Sequence, residues 1–123
     1  MDWIRSIVGV GLGFGIFVIG VFMPREAVAE HPGAPLTLSL VAGSIAYGAV
    51  FAALGGLTAA SVAARRPLAH ALTLAGLIAL AGLLHPWLEP GTNPRWLDLS
   101  AVGVMAPAAA LAGWARSRLA QPR

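Results

Sequence analysis

Charge is confined to short clusters along this chain, and four long stretches between them carry none. No charged residue lies between Arg5 and Arg25, between Glu30 and Arg65, between Arg66 and Glu89, or between Asp98 and Arg116. Each stretch is close to or longer than the roughly 18 residues that mark a membrane-spanning helix. The pattern predicts an all-α integral membrane bundle of four transmembrane helices, as a single domain over residues 1–123, with spans at about 6–23, 36–64, 67–85 and 95–116.

Prolines punctuate these spans. Pro24 is expected to stop the first, Pro35 to open the second, Pro67 to open the third directly after Arg65-Arg66, and Pro86 to end it. Asn93 is placed to cap the fourth, with Pro94 at its first position and Asp98 in the first turn, where the helix dipole favours a negative charge. Arg5, Arg65, Arg66, Arg116, Arg118 and Arg123 fall on one side of such a bundle and only Arg25 and Arg95 on the other, so both termini are expected in the cytoplasm. Trp3 and Trp114 then mark the inner interface, and Trp87 and Trp96 the outer one. Ala27-Val28-Ala29 has the form of a signal-peptidase site before Glu30, but the preceding apolar run is longer and richer in glycine than a signal core, and an uncleaved first span is expected.

Composition agrees and narrows the function. The chain is 58% apolar and 11% charged, against about 25% charge in soluble domains. The excess of eight arginines over five acids reports topology rather than a nucleic-acid partner. With no cysteine there is no disulfide, thiolate metal site or thiol catalysis.

Small residues dominate two spans. Lipid gives no hydrophobic drive between helices, so close approach at small side chains is expected to hold the bundle together. The first span offers Gly9, Gly13 and Gly20, with Gly9 to Gly13 and Gly11 to Gly15 both in GxxxG spacing. No strand precedes this run and no lysine follows it, so a phosphate loop is not the reading. In the second span Ser44, Gly48, Ala52, Gly56 and Ala60 recur every four residues as a packing ladder.

A hydroxyl stripe shares the second span. At about 100° per residue, Thr37, Ser44, Tyr47, Thr58 and Ser61 cluster on one face, which is expected to point inward. Across the tight Arg65-Arg66 turn, Ser61 is level with His70 and Thr58 with Thr73, which predicts a small hydrogen-bonded cluster. Ser44, Tyr47, Thr58, Ser61, His70 and Thr73 are thus a candidate polar pathway. The competing expectation is structural: hydroxyls bonding their own i−4 carbonyls, and His70 sitting near the interface about one turn from the arginines. Pro107 removes the bond to the Gly103 carbonyl, which predicts a kink in the fourth span.

Catalytic and metal chemistry is not indicated. Glu26, Glu30, His31, His85, Glu89 and Asp98 gather in the outer loops, but their spacing fits no ligand motif, and His31 and His85 each precede a proline, which favours a loop role. No metal, haem or other cofactor is expected. The small multidrug transporters carry a glutamate in their first helix, and Ile7 to Phe22 has none. Gly55 to Ser61 shares letters with small four-span fluoride channels but stands on the wrong span, without their embedded asparagine and phenylalanine pair.

The segment from Leu54-Gly55-Gly56 through Ala63-Ala64-Arg65-Arg66-Pro67-Leu68-Ala69-His70-Ala71-Leu72 resembles one found in many uncharacterised small four-helix bacterial membrane proteins. The resemblance covers about 20 residues and implies a bacterial inner-membrane protein, without implying an activity. The expectation from sequence is therefore a non-enzymatic accessory or structural subunit of a membrane complex, or a homo-oligomer, packed through glycine and alanine faces. Its partners would be the lipid bilayer and a membrane protein or further copies, with no nucleic acid. The alternative is a small channel or transporter using the hydroxyl face of the second helix.

Overall fold

The computed structural model describes residues 2–29, 37–63, 65–91 and 95–119, with the side chains of 22–29 outside that description. Helix α1 runs Asp2–Ala29, α2 Leu38–Val62 and α3 Pro67–Leu88. The fourth rod is built from α4, Arg95–Ser100, a π-helical turn at Ala101–Met105, and α5, Ala106–Leu119. Four helices, Asp2–Val21, Leu38–Val62, Pro67–Leu88 and Arg95–Leu119, are long and apolar enough to cross a membrane.

The helix ends follow local chemistry. Thr37 has extended backbone and its hydroxyl accepts from the Leu40 N–H at 3.2 Å, an N-cap in place of the opening expected at Pro35, which lies outside the described residues. Between α2 and α3 the chain reverses through Arg66, the one non-glycine described residue with positive φ (54°), and Pro67 then starts α3 with φ already set for a helix. Asn93, Pro94, His31, Arg123 and the Ala29-Glu30 bond fall wholly or partly outside the described residues.

Three expectations about proline shift. Backbone helix continues through Pro24 to Ala29, and through Pro86 to Leu88. A proline removes one N–H, and a single lost bond need not end a long apolar helix. The irregularity expected at Pro107 is taken up before it: the Ala106 N–H bonds the Ala101 carbonyl, and the Ala101–Met105 turn widens just before the proline ring arrives.

Helices α1 and α2 share the most extensive interface, α5 packs on both α2 and α3, and α1 also reaches α3. Asp2 lies 3.9 Å from Arg65, and Arg116 reaches Ser61, so the start of α1, the α2–α3 turn and the end of α5 share one basic end. The interior is made of small residues. Ala52, Ala59, Ala71 and Ala109 are fully buried, and among the described residues the largest fully buried side chains are Leu74, Ile78 and Met105. Large apolar side chains instead face outward, including Ile7, Leu12, Ile19, Val50, Leu72, Leu80, Leu83 and Leu111.

Candidate functional site

The glycines predicted to pack do so within the chain. A Cβ built at Gly13 would stand 2.6 Å from the Gly55 carbonyl oxygen, and one at Gly55 would stand 2.5 Å from that of Gly13, so α1 and α2 meet backbone to backbone. Gly9 sits against Val62 and Ala59, Gly20 under Phe51, Gly48 under Met105 and Gly56 against the Ala109 backbone. Ser44, Ala52 and Ala60 are buried in the same ladder. Gly11 and Gly15 point the other way, with open space where a Cβ would go.

The hydroxyl stripe does not line a common interior path. Thr58 and Thr73 donate to their own helix carbonyls, Leu54 at 2.8 Å and Ala69 at 2.9 Å. Tyr47 is exposed and packs its ring on Phe51, with centroids 4.8 Å apart. Ser39, Gly43, Ser44 and Tyr47 border a shallow, open groove along α2. Ser61 is exposed and accepts from Arg116 Nε at 3.2 Å. In place of the expected Ser61–His70 and Thr58–Thr73 cluster, the two threonines bond their own helices and Ser61 and His70 bond residues of other elements.

His70 is partnered from α1. Its Nε2 lies 2.7 Å from Ser6 Oγ, and its Nδ1 lies 2.9 Å from the Arg66 carbonyl, which also accepts the His70 backbone N–H at 3.3 Å. With a neutral ring protonated on Nδ1, that N–H donates to Arg66 and Nε2 accepts from the Ser6 hydroxyl. Ser6 then has no proton left for the Asp2 carbonyl 3.0 Å away. Making all three bonds at once requires both ring nitrogens to carry protons. Sequence reasoning missed Ser6 because 64 residues separate it from His70, and a lone serine near a helix start carries no signal of its own.

The opposite end holds the denser constellation. His85, expected in a loop, lies in the last turn of α3, and Asp98 in α4 is buried. The close approach of the two elements explains this placement, for Gly82 has no side chain and a Cβ there would stand 2.7 Å from the Asp98 carbonyl oxygen. His85 Nδ1 is 3.3 Å from Asp98 Oδ1 and Nε2 is 3.7 Å from Glu89 Oε2. An imidazole is therefore strung between a surface carboxylate and a buried one. Neither His85 Nδ1 nor the buried Trp96 Nε1 has a hydrogen bond of good geometry among the described residues.

His85 and Asp98 are among the residues around a cavity of about 170 Å³ between α1, α3 and the fourth rod, whose other walls include Phe14, Phe17, Val18, Leu97, Ala101 and Met105. A second hollow of about 320 Å³, on the outside of α3, is bordered by Leu77, Leu80, Leu84 and Leu88 and shares Phe14, Ala81 and His85 with the first. No group of three or more His, Asp or Glu side chains is placed to hold a metal ion among the described residues. Compared with known proteins, the chain matches no family model, no curated protein and no solved structure.

Proposed function

We propose that the protein is a non-enzymatic integral membrane protein of a bacterial cytoplasmic membrane, both termini inside, that serves as an accessory or structural subunit by packing against a partner helix or a further copy. The observation that carries this reading is the distribution of size, with an interior mostly of alanine and glycine around Leu74, Ile78 and Met105 and with most leucine, isoleucine and valine side chains outside. Such a surface suits lipid, where close helix contact rather than hydrophobic burial supplies cohesion. The arginine-rich end supports the orientation.

The docking face is the outward side of α1. Gly9 and Gly13 are consumed inside the bundle, whereas Gly11 and Gly15, one turn apart, lie open between the exposed Leu12, Val8 and Ile19. A small-xxx-small pair of this kind admits a neighbouring helix at short range. The self-bonded hydroxyls of Thr58 and Thr73 favour this reading over a polar pathway along α2. The test is purification in mild detergent through a C-terminal tag, with native mass measurement of what stays bound. Gly11→Leu with Gly15→Leu is expected to release the partner or second copy at an unchanged unfolding midpoint, while Gly13→Leu lowers the midpoint itself. An assembly that survives the double substitution removes the proposed face.

A further inference from the structure

We infer that the arginine end of the bundle is a binding surface for anionic phospholipid, its phosphate held by guanidinium groups and its acyl chains lying along the apolar flanks beside them. The inference rests on the membrane reading above. Three elements meet at this end. Asp2 of α1 approaches Arg65 of the α2–α3 turn, and Arg116 of α5 donates through Nε to the Ser61 hydroxyl of α2 at 3.2 Å. Arg5, Arg65, Arg66, Arg116 and Arg118 are thereby gathered, and Asp2 is the sole acidic residue of that end among the described residues. It does not neutralise them: at 3.9 Å its ion pair with Arg65 is too long for a hydrogen bond, and the Arg65 side chain stays 86% exposed.

The cations select the head group. All eight basic residues of the chain are arginine, whose planar fork of N–H donors fits phosphate in a bidentate way. The bond to Ser61 uses one of the five N–H donors of Arg116, holds that side chain across from α5 to α2, and leaves both terminal nitrogens for a ligand. Arg118 lies over the Trp114 ring, 5.4 Å from its centre, a stacking that keeps its in-plane donors available. The flanks select the tail. Trp3, Ile4 and Ile7 on α1 and Leu111 and Trp114 on α5 are exposed within two turns of the arginines. A soluble anion would answer the guanidinium groups alone. A zwitterionic lipid would answer the flanks but bring its own cation to the arginines. An anionic phospholipid matches both, and clustered arginines at the ends of membrane helices recognise such lipids.

The test is tryptophan quenching in the full chain carrying Trp87→Phe and Trp96→Phe, so that Trp3 and Trp114 report on the arginine end alone. The chain is reconstituted in phosphatidylcholine vesicles in which the brominated component is either phosphatidylglycerol or phosphatidylcholine with the same acyl chains. Brominated phosphatidylglycerol is expected to associate at least threefold more strongly, a discount on the roughly fivefold that one fully engaged arginine adds at an anionic surface. High salt should shrink the preference. Arg65→Gln with Arg66→Gln, and Arg116→Gln with Arg118→Gln, should each lower it at exposed or half-exposed positions where folding is not at risk, whereas Arg95→Gln at the opposite end should leave it unchanged. A smaller preference, or one that survives replacement of all four arginines, overturns the lipid surface and leaves the membrane reading standing. Quenching by neither brominated lipid overturns both. Displacement of phosphatidylglycerol by soluble polyglutamate at equal charge would assign the arginines to an acidic protein and overturn the lipid surface as well.

Discussion

The basic half of the bundle and the half around His85 both use glycine notches, but different things fill them. Toward the basic end the filler is backbone or Cβ: Gly13 meets Gly55, Gly56 meets Ala109, and Gly113 meets Ala71. Toward the other end larger side chains join the fillers, Phe51 over Gly20 and Met105 over Gly48 beside the close approach of the Asp98 backbone to Gly82, and there α1 and the fourth rod leave room for a cavity. Backbone against backbone fixes the helix spacing and leaves no atom free to move. A side chain in a notch keeps rotamers in reserve, so the second half can hold space beside the widened Ala101–Met105 turn.

The comparison breaks first at Gly56. Any side chain there meets the Ala109 carbonyl, which is main chain in the middle of α5, so the two helices must separate. Gly56→Leu is expected to cost about 3 kcal/mol or more, at the upper end of overpacking effects. An SDS titration in mixed micelles, followed by tryptophan fluorescence or circular dichroism, reads this directly. A midpoint within error of the wild type would show that the helices do not meet there.

Gly48 sharpens it. The added Cβ of Gly48→Ala meets the terminal methyl of Met105, the far end of a flexible side chain that can swing aside toward the cavity it already borders. The expected cost is about 1 kcal/mol or less, offset in part by the better helix propensity of alanine. Pairing it with Met105→Ala should remove the clash and leave the cost of the deleted methionine alone, a coupling that a double-mutant cycle measures. If Gly48→Ala costs as much as Gly56→Leu, then the two halves are equally rigid and the contrast fails.

Much of this frame was legible in the sequence, for a physical reason. Four uncharged stretches between charge clusters leave the chain few alternatives, and the ladder Ser44, Gly48, Ala52, Gly56, Ala60 reads directly because small residues at i, i+4 share a face. Which face of a uniformly apolar helix turns inward is much harder to read. Gly9 with Gly13 and Gly11 with Gly15 have the same spacing, and only the partner surface distinguishes the pair in use from the pair left open. Of the two readings the hydroxyl stripe allowed, Thr58 and Thr73 follow the structural one, each bonding a carbonyl of its own helix, so their alignment implies no shared path. His85 was assigned to a loop from its following proline, whereas a proline two residues from the helix end is compatible with helix, and the pairing with Asp98 depends on a close approach at Gly82 that no local pattern reveals.

The smallest expected effect belongs to the basic half and tests whether its polar groups contribute as its backbone does. Ser6 and His70 join α1 to α3 near the surface, at 2.7 Å, in a bond that competes with the Asp2 carbonyl for the serine proton. Hydrogen bonds between membrane helices average about 0.6 kcal/mol in double-mutant cycles, because the separated helices find other partners for the same groups. Ser6→Ala and His70→Leu, alone and together, should therefore yield a coupling of about that size in the SDS titration. The Ser6→Ala chain loses nothing at Arg66, since the ring Nδ1 and the backbone N–H of residue 70 still reach that carbonyl. His70→Leu loses both ring contacts and should cost more than Ser6→Ala. A coupling above about 2 kcal/mol would exceed the range found for such pairs and would place the cohesion of this end in its polar contacts rather than in the backbone contacts of Gly13, Gly55 and Gly56. A coupling indistinguishable from zero would leave those glycines as what holds the basic half together.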